Sequence, residues 1–216
     1  MAGESTENDP RWSEYNYPPL LKLFHYSISD LRDPMKSIAR KLNAGAIVVL
    51  IIQPLQLLST CLQLAAKCEV VRKRNLIYSI LNCFLWPTLA FFIFHRGYVA
   101  ICQGPLHTVS LMLFYGSSLC ALIIWSYQAI AGGASNGIIK MVKLKSCTTS
   151  KQGLIRFITA LCCLELFLWS LAIFLLIYNA LKVKSIYGKH YPVFVKETEI
   201  QRIERKEEKD EGDNRA

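Results

Sequence analysis

Charge is scarce in the middle of this chain. From Asn75 to Ile139 the only Asp, Glu, Lys or Arg is Arg96, and outside residues 1–41 and 182–216 the only acids are Glu69 and Glu165. A soluble domain spreads charged groups over a wetted surface, so this interior excludes one. The vocabulary of catalysis and metal binding is missing too. His25, His95, His107 and His190 make no HxxxH or HExxH pairing, no acid cluster accompanies them, and there is no Cys-x-x-Cys or zinc spacing. No cofactor signature is present either, and a non-enzymatic protein is expected. The run GGASNG at 132–137 is glycine-rich, but it lacks the GKS/T ending and the preceding strand of a phosphate-binding loop. No Asn-x-Ser/Thr acceptor occurs, and the start MAGESTENDP has neither the basic nor the apolar region of a cleavable signal peptide.

What is present is apolar length. Hydrophobic residues make up 52% of the 216 and charged ones 19%, and a helix needs about 20 apolar residues to cross a hydrocarbon core of about 30 Å. Four stretches qualify. Asp33-Pro34 is a helix start, an amide-capping acid before a first-turn proline. Met35, Ile38 and Leu42 follow at helical spacing with Lys36, Arg40 and Lys41 between them, so an amphipathic helix running into the first span is expected over 34–66. The second span is expected at 75–94, a short turn at 95–105, the third span at 106–131, a loop at 132–156 and the fourth span at 157–181. The arm 1–33 contains LLKLFHY at 20–26, too short to span, which either lies at the interface or packs on the end of the bundle. Fourteen of the last twenty-one residues are charged, so the tail 182–216 is expected to be solvated and disordered, at most a frayed helix. The fold class is all-α: an integral membrane protein with four transmembrane helices in an antiparallel bundle. The net charge of +9 sits beside span ends, where anionic lipid rewards each basic residue with about 1 kcal/mol, and it carries no nucleic-acid signal.

Three polar side chains inside the spans stand out. Gln53 and Gln56 flank Pro54 in the first span and are expected to face the bundle interior, bonding a neighbouring helix or lining a polar path. Glu165 lies in the fourth span, where a charged carboxylate costs about 2.5–3.5 kcal/mol on insertion scales. One alternative makes it the working group of a small four-span channel or transporter. The other makes it buried and neutral, bonded to Gln53, Gln56 or Asn82. In the third span Gly116-Ser117-Ser118 and Cys120-Ala121 are small enough for close helix approach.

Asn16-Tyr17-Pro18-Pro19 followed by His25-Tyr26, then Pro87, Arg96, Tyr98 and Ala100, then Cys163-Leu164-Glu165 with Trp169 and Tyr178, occur in the order found in the secretory carrier-associated membrane proteins. Residues 16–190 resemble that family, and the Cys-Leu-Glu segment is similar to its plant-type members. The resemblance implies a tetraspan protein of secretory and endocytic carriers, at the Golgi, endosomes or plasma membrane, that assists vesicle-mediated transport and membrane recycling. It also implies membrane-surface contact near Arg96 and Tyr98, and Lys182 and Lys184 are placed to join them on anionic lipid. The turn departs from the family, having no Trp or Pro in Phe94-His95-Arg96-Gly97-Tyr98, and Ile101-Cys102-Gln103 stand where basic residues usually follow. No Asn-Pro-Phe tripeptide is present, so recruitment of endocytic adaptors through it is not carried over. The expected partners are the bilayer, with anionic lipid at its cytosolic face, and unidentified trafficking proteins, with homo-oligomerisation left open.

Charge leaves orientation undecided. Nine Lys and Arg flank the spans on the side of the termini and nine on the other, where the positive-inside rule wants an excess. The charged tail, the missing signal peptide and the resemblance all favour cytosolic termini. Cys68 and Cys147 would then share the opposite side, where pairing is left open, and Cys102 would face the cytosol as a free thiol or acylation site.

Overall fold

The computed structural model describes residues 15–18, 22–28, 31, 35–66, 73–103, 108–131, 136–144 and 152–213; the side chains of residue 103 and of those beyond 186 lie outside that description. So do the Asp33-Pro34 helix start, Cys68, Cys147 and His107. The elements are α1 (Met35–Ala65), α2 (Lys73–Gln103), α3 (Thr108–Ile130), the short α4 (Ile138–Leu144) and α5 (Gln152–Asp213). Four of these helices are long and apolar enough to cross a membrane, and the chain is an all-α multi-pass membrane protein. α1 packs on α2 and α5, α2 on α3, and α3 on α5, so the four long helices close into a ring of neighbours with α4 wedged beside α3 and α5.

At 1.5 Å per residue the 31 residues of α1 extend about 46 Å, well beyond a hydrocarbon core of about 30 Å. Its first turns, with Lys36, Arg40 and Lys41, therefore belong to the headgroup layer. α2 is equally long and absorbs the polar break at His95-Arg96-Gly97-Tyr98, where the sequence suggested a turn over 95–105. The helix survives there because one glycine costs only about 1 kcal/mol and its missing side chain allows tight packing. A Cβ on Gly97 would come within 2.9 Å of Phe114 Cε2 and 3.1 Å of Leu42 Cδ1. Helical backbone in α5 continues to Asp213. For the tail this is the frayed-helix limit of the sequence expectation, since from Lys196 onward almost nothing apolar is available to dock it.

The core is built from large rings set against small residues. Ala39 and Ala46 of α1, Ala90 of α2, Ala121 of α3 and Ala172 of α5 are buried among Phe94, Phe114, Trp125 and Trp169. In a bilayer, lipid tails are as apolar as leucine, so this close packing rather than water exclusion holds helices together. The opposite faces expose Phe84, Met112, Phe167 and Phe174, as lipid-facing surfaces do. Ser118 and Ala121 take part in helix approach, but Gly116 does not, because a Cβ there would meet nothing within 4 Å.

Candidate functional site

α1 buries a seam of polar side chains. Gln53, Gln56, Ser59, Thr60 and Gln63 are all buried, and their 3-3-1-3 spacing keeps them on one face of the helix. Thr60 Oγ1 donates to the Gln56 carbonyl at 2.9 Å and lies 3.2 Å from Ser79 Oγ of α2. Cys83 of α2 points its thiol at the Gln53 carbonyl, 3.7 Å away. The Gln53 amide itself finds no hydrogen-bond partner among the described residues. Sequence reasoning singled out Gln53 and Gln56 and missed the other three, although the same spacing continues through them.

The seam ends in a cluster that ties three chain segments together. Gln63 Nε2 donates to Ser59 Oγ at 3.0 Å and to Asn136 Oδ1 at 2.9 Å. Asn136 Nδ2 donates to Glu165 Oε2 at 2.7 Å, and its backbone N–H points at Oε1 from 3.4 Å. Cys162 Sγ, one turn before Glu165, lies 3.5 Å from Ser59 Oγ. Glu165 is buried, at 1% exposure, but it accepts hydrogen bonds from Asn136 rather than bonding Gln53, Gln56 or Asn82 as the sequence suggested. The partner comes instead from the stretch before α4, inside the 132–156 loop that the sequence predicts.

α4 also buries a lysine. Asn136, Lys140 and Leu144 stand four residues apart and so share a face, and Lys140 is 0% exposed. The Gly137 carbonyl accepts the N–H groups of Lys140 and Met141 at 3.0 Å each and so starts the helix. A Cβ on Gly137 would fall 2.2 Å from the Ala131 carbonyl oxygen, so only glycine lets the backbone pass this close to the end of α3. Lys140 Nζ has no hydrogen-bond partner among the described residues. Burial pulls its ammonium down to about 8, with Glu165 and then Cys162 opposing the fall.

The other end of the bundle carries a clamp. Tyr17 and Phe24 form an isolated antiparallel bridge, closed by the Phe24 N–H donating to the Tyr17 carbonyl at 3.0 Å. Asn16 bonds both main-chain groups of Tyr26, its Oδ1 accepting at 2.8 Å and its Nδ2 donating at 2.9 Å. Tyr17 donates its hydroxyl to Asn43 Oδ1 of α1. Tyr98 of α2 accepts the Ser27 N–H at 3.0 Å and donates to the Ser27 carbonyl at 2.9 Å. The rings of Tyr17, Phe24 and Tyr26 stack edge-on or tilted against Phe94 at 5.1–5.6 Å. Of the stretch 20–26, Phe24 and His25 are thus buried on the bundle while Leu23 faces outward. Desolvation raises the Tyr17 hydroxyl above its usual value, against a smaller lowering by Asn43.

This docking corrects one expectation. Tyr98, placed by the sequence at the membrane surface, is fully buried under the arm. Arg96 is half-buried with its guanidinium over the Phe92 ring at 5.2 Å, and Lys182 and Lys184 are exposed at the same end of the bundle. There Lys41 Nζ donates to the Tyr178 hydroxyl at 2.7 Å, and Lys182 approaches the same ring at 5.8 Å. Among the described residues no group of three or more His, Cys, Asp or Glu side chains is placed to hold a metal ion.

The family model described as the SCAMP family matches residues 14–190. That range takes in both the clamp and the buried cluster. No curated protein and no solved structure matches the chain.

Proposed function

The chain belongs to the SCAMP family, and from that premise we propose that it is a non-enzymatic protein of secretory and endocytic carriers, assisting vesicle-mediated protein transport and membrane recycling. The observation that carries this is the family match across all four spans, joined to a structure whose built features are helix packing, an arm clamp and a polar cluster. Such a protein acts through where it sits and what its ends touch.

In this proposal the termini are cytosolic. The clamp, Arg96, Lys182 and Lys184 then lie at the cytosolic face, where Lys182 and Lys184 meet anionic lipid directly and the half-buried Arg96 contributes from beneath. Tyr98 serves to hold the arm. Cargo-handling proteins would engage the arm and tail. The test is localisation of a tagged copy against Golgi, endosome and plasma-membrane markers, with secretion and recycling rates measured after its loss. Residence in a non-carrier membrane, or steady turnover of a small molecule by the purified protein, would refute the proposal.

A small channel or transporter remains the alternative, favoured by the seam of five buried polar side chains on α1 leading to Glu165. Its test is flux in proteoliposomes. Loss of a proton- or ion-coupled flux in a folded Glu165→Gln protein would establish it over the trafficking role.

A further inference from the structure

The segment 136–144 is seated on the bundle by polar groups set beside a small apolar cluster, in which Leu144 packs with Ala66, Ile158 and Cys162 and Met141 lies against them. Of its buried side chains Asn136, Lys140 and Leu144, only the leucine is apolar. Asn136 spends its amide on Gln63 of α1 and Glu165 of α5. Lys140 sends an ammonium into the same interior without a hydrogen-bond partner among the described residues. It makes no direct ion pair with Glu165, yet the carboxylate is the charge that offsets it.

Among the described residues no other charged group acts on Lys140. α1 brings the uncharged Ser59 and Gln63, α5 adds the thiols of Cys162 and Cys163, and α3 carries no Asp, Glu, Lys, Arg or His between Thr108 and Ile130. Lys143 of α4 is exposed. Among the described residues the balance of this interior therefore rests on one cation and one anion, on two different chain segments.

We propose that Glu165 and Lys140 form a proton-binding site whose protonation unseats the segment 136–144 from the bundle. The step is a single proton uptake: a proton from the aqueous phase adds to a Glu165 carboxylate oxygen, giving the neutral acid, and no bond other than the new O–H is made. Two consequences follow at once. The hydrogen bonds that Asn136 donates lose their charge-assisted strength, and the Lys140 ammonium is left buried without a counter-charge. A buried charge whose partner is removed is strongly destabilising, whereas an interior that lacks both charges is tolerated. The lowest-cost response is for Lys140 to leave, taking its short helix with it toward water. Gln63, Ser59 and Cys162 are uncovered as it goes.

Cys162 supplies a native reporter. It is buried behind this segment, against Ser59 and Gln63. The experiment follows its modification in the full chain, in lipid nanodiscs, by a pyridyl disulfide that reacts with thiols in acid, with peptide mapping to separate Cys162 from the other cysteines. Between about pH 7.5 and about pH 5, Cys162 labelling is expected to rise roughly tenfold or more. Glu165→Gln removes the anion permanently and should label rapidly at both pH values. Lys140→Met removes the charge that drives expulsion and should stay protected at both. Labelling of wild type that does not change with pH, or Glu165→Gln protected as well as wild type, overturns the proposal. If Glu165→Gln fails to fold, Lys140→Met decides: retention of the acid-dependent rise overturns the proposal and its loss sustains it. The outcome is independent of the trafficking role and of which side of the membrane this end faces.

Discussion

Tyr98→Phe should release the N-terminal arm while leaving the bundle intact. The substitution removes one oxygen atom and keeps the ring, so the contacts of that ring with Tyr26 at 5.2 Å and Phe94 at 6.3 Å persist. What disappears is the pair of bonds to Ser27, at 3.0 Å from its N–H and 2.9 Å to its carbonyl. A neutral hydrogen bond contributes about 0.5–1.5 kcal/mol net, so losing two costs about 1–3 kcal/mol, or roughly a 5- to 150-fold rise in opening of the arm. Ser27 is only half-buried, so water reaches its freed groups and the lower half of that range is expected. Hydrogen exchange on the nanodisc-embedded protein measures this directly. The amides of Phe24 and Tyr26, bonded to the Tyr17 carbonyl and to Asn16 Oδ1, should lose protection together with Ser27, while amides in the middle of α1 and α3 should not. The same change at the exposed Tyr78 is the control. Unchanged protection at Phe24 and Tyr26 would show that ring packing alone docks the arm and that the Tyr98 hydroxyl is incidental.

Three further outcomes follow from the geometry. Gly137→Ala should destabilise the seating of α4 by several kcal/mol, because the clash at 2.2 Å is with a backbone carbonyl oxygen that cannot rotate away; a thermal melt in detergent and Cys162 labelling would register it, and a variant as stable as wild type would refute the close approach. Gln63→Leu should cost about 2–4 kcal/mol by stranding Ser59 and Asn136, measured as a fall in melting temperature that Ser59→Ala alone does not reproduce. The arm should also detach in alkali: desolvation raises both Tyr17 and Tyr26, so their contribution is complete below the usual tyrosine value of about 10 and is lost as the pH climbs through their higher folded values. Tyrosinate absorbance followed alongside proteolysis of the arm would check it, and cleavage that is flat across that window would refute it.

Much of this protein is written in composition. Twenty or so uncharged residues can cross a bilayer only as helix, because every buried backbone group must find its partner within the segment, so the four spans and their order needed no knowledge of neighbours. Gln53 and Gln56 were visible because an amide in an apolar run is conspicuous. The family resemblance was legible in short motifs at the ends of the spans. Tertiary structure decided the rest, and for one physical reason: hydrogen bonds between segments distant in sequence leave no local signature. Glu165 was conspicuous, but its tie to Asn136 joins residues 29 apart, and Lys140 looked like one more loop lysine until packing put it on the buried face of α4. Tyr98 likewise read as a surface residue beside Arg96, and only the return of the arm, 71 residues earlier in the chain, buries it. The bilayer fixes which residues are helical from length and polarity alone, whereas which polar groups meet depends on how those helices are set side by side.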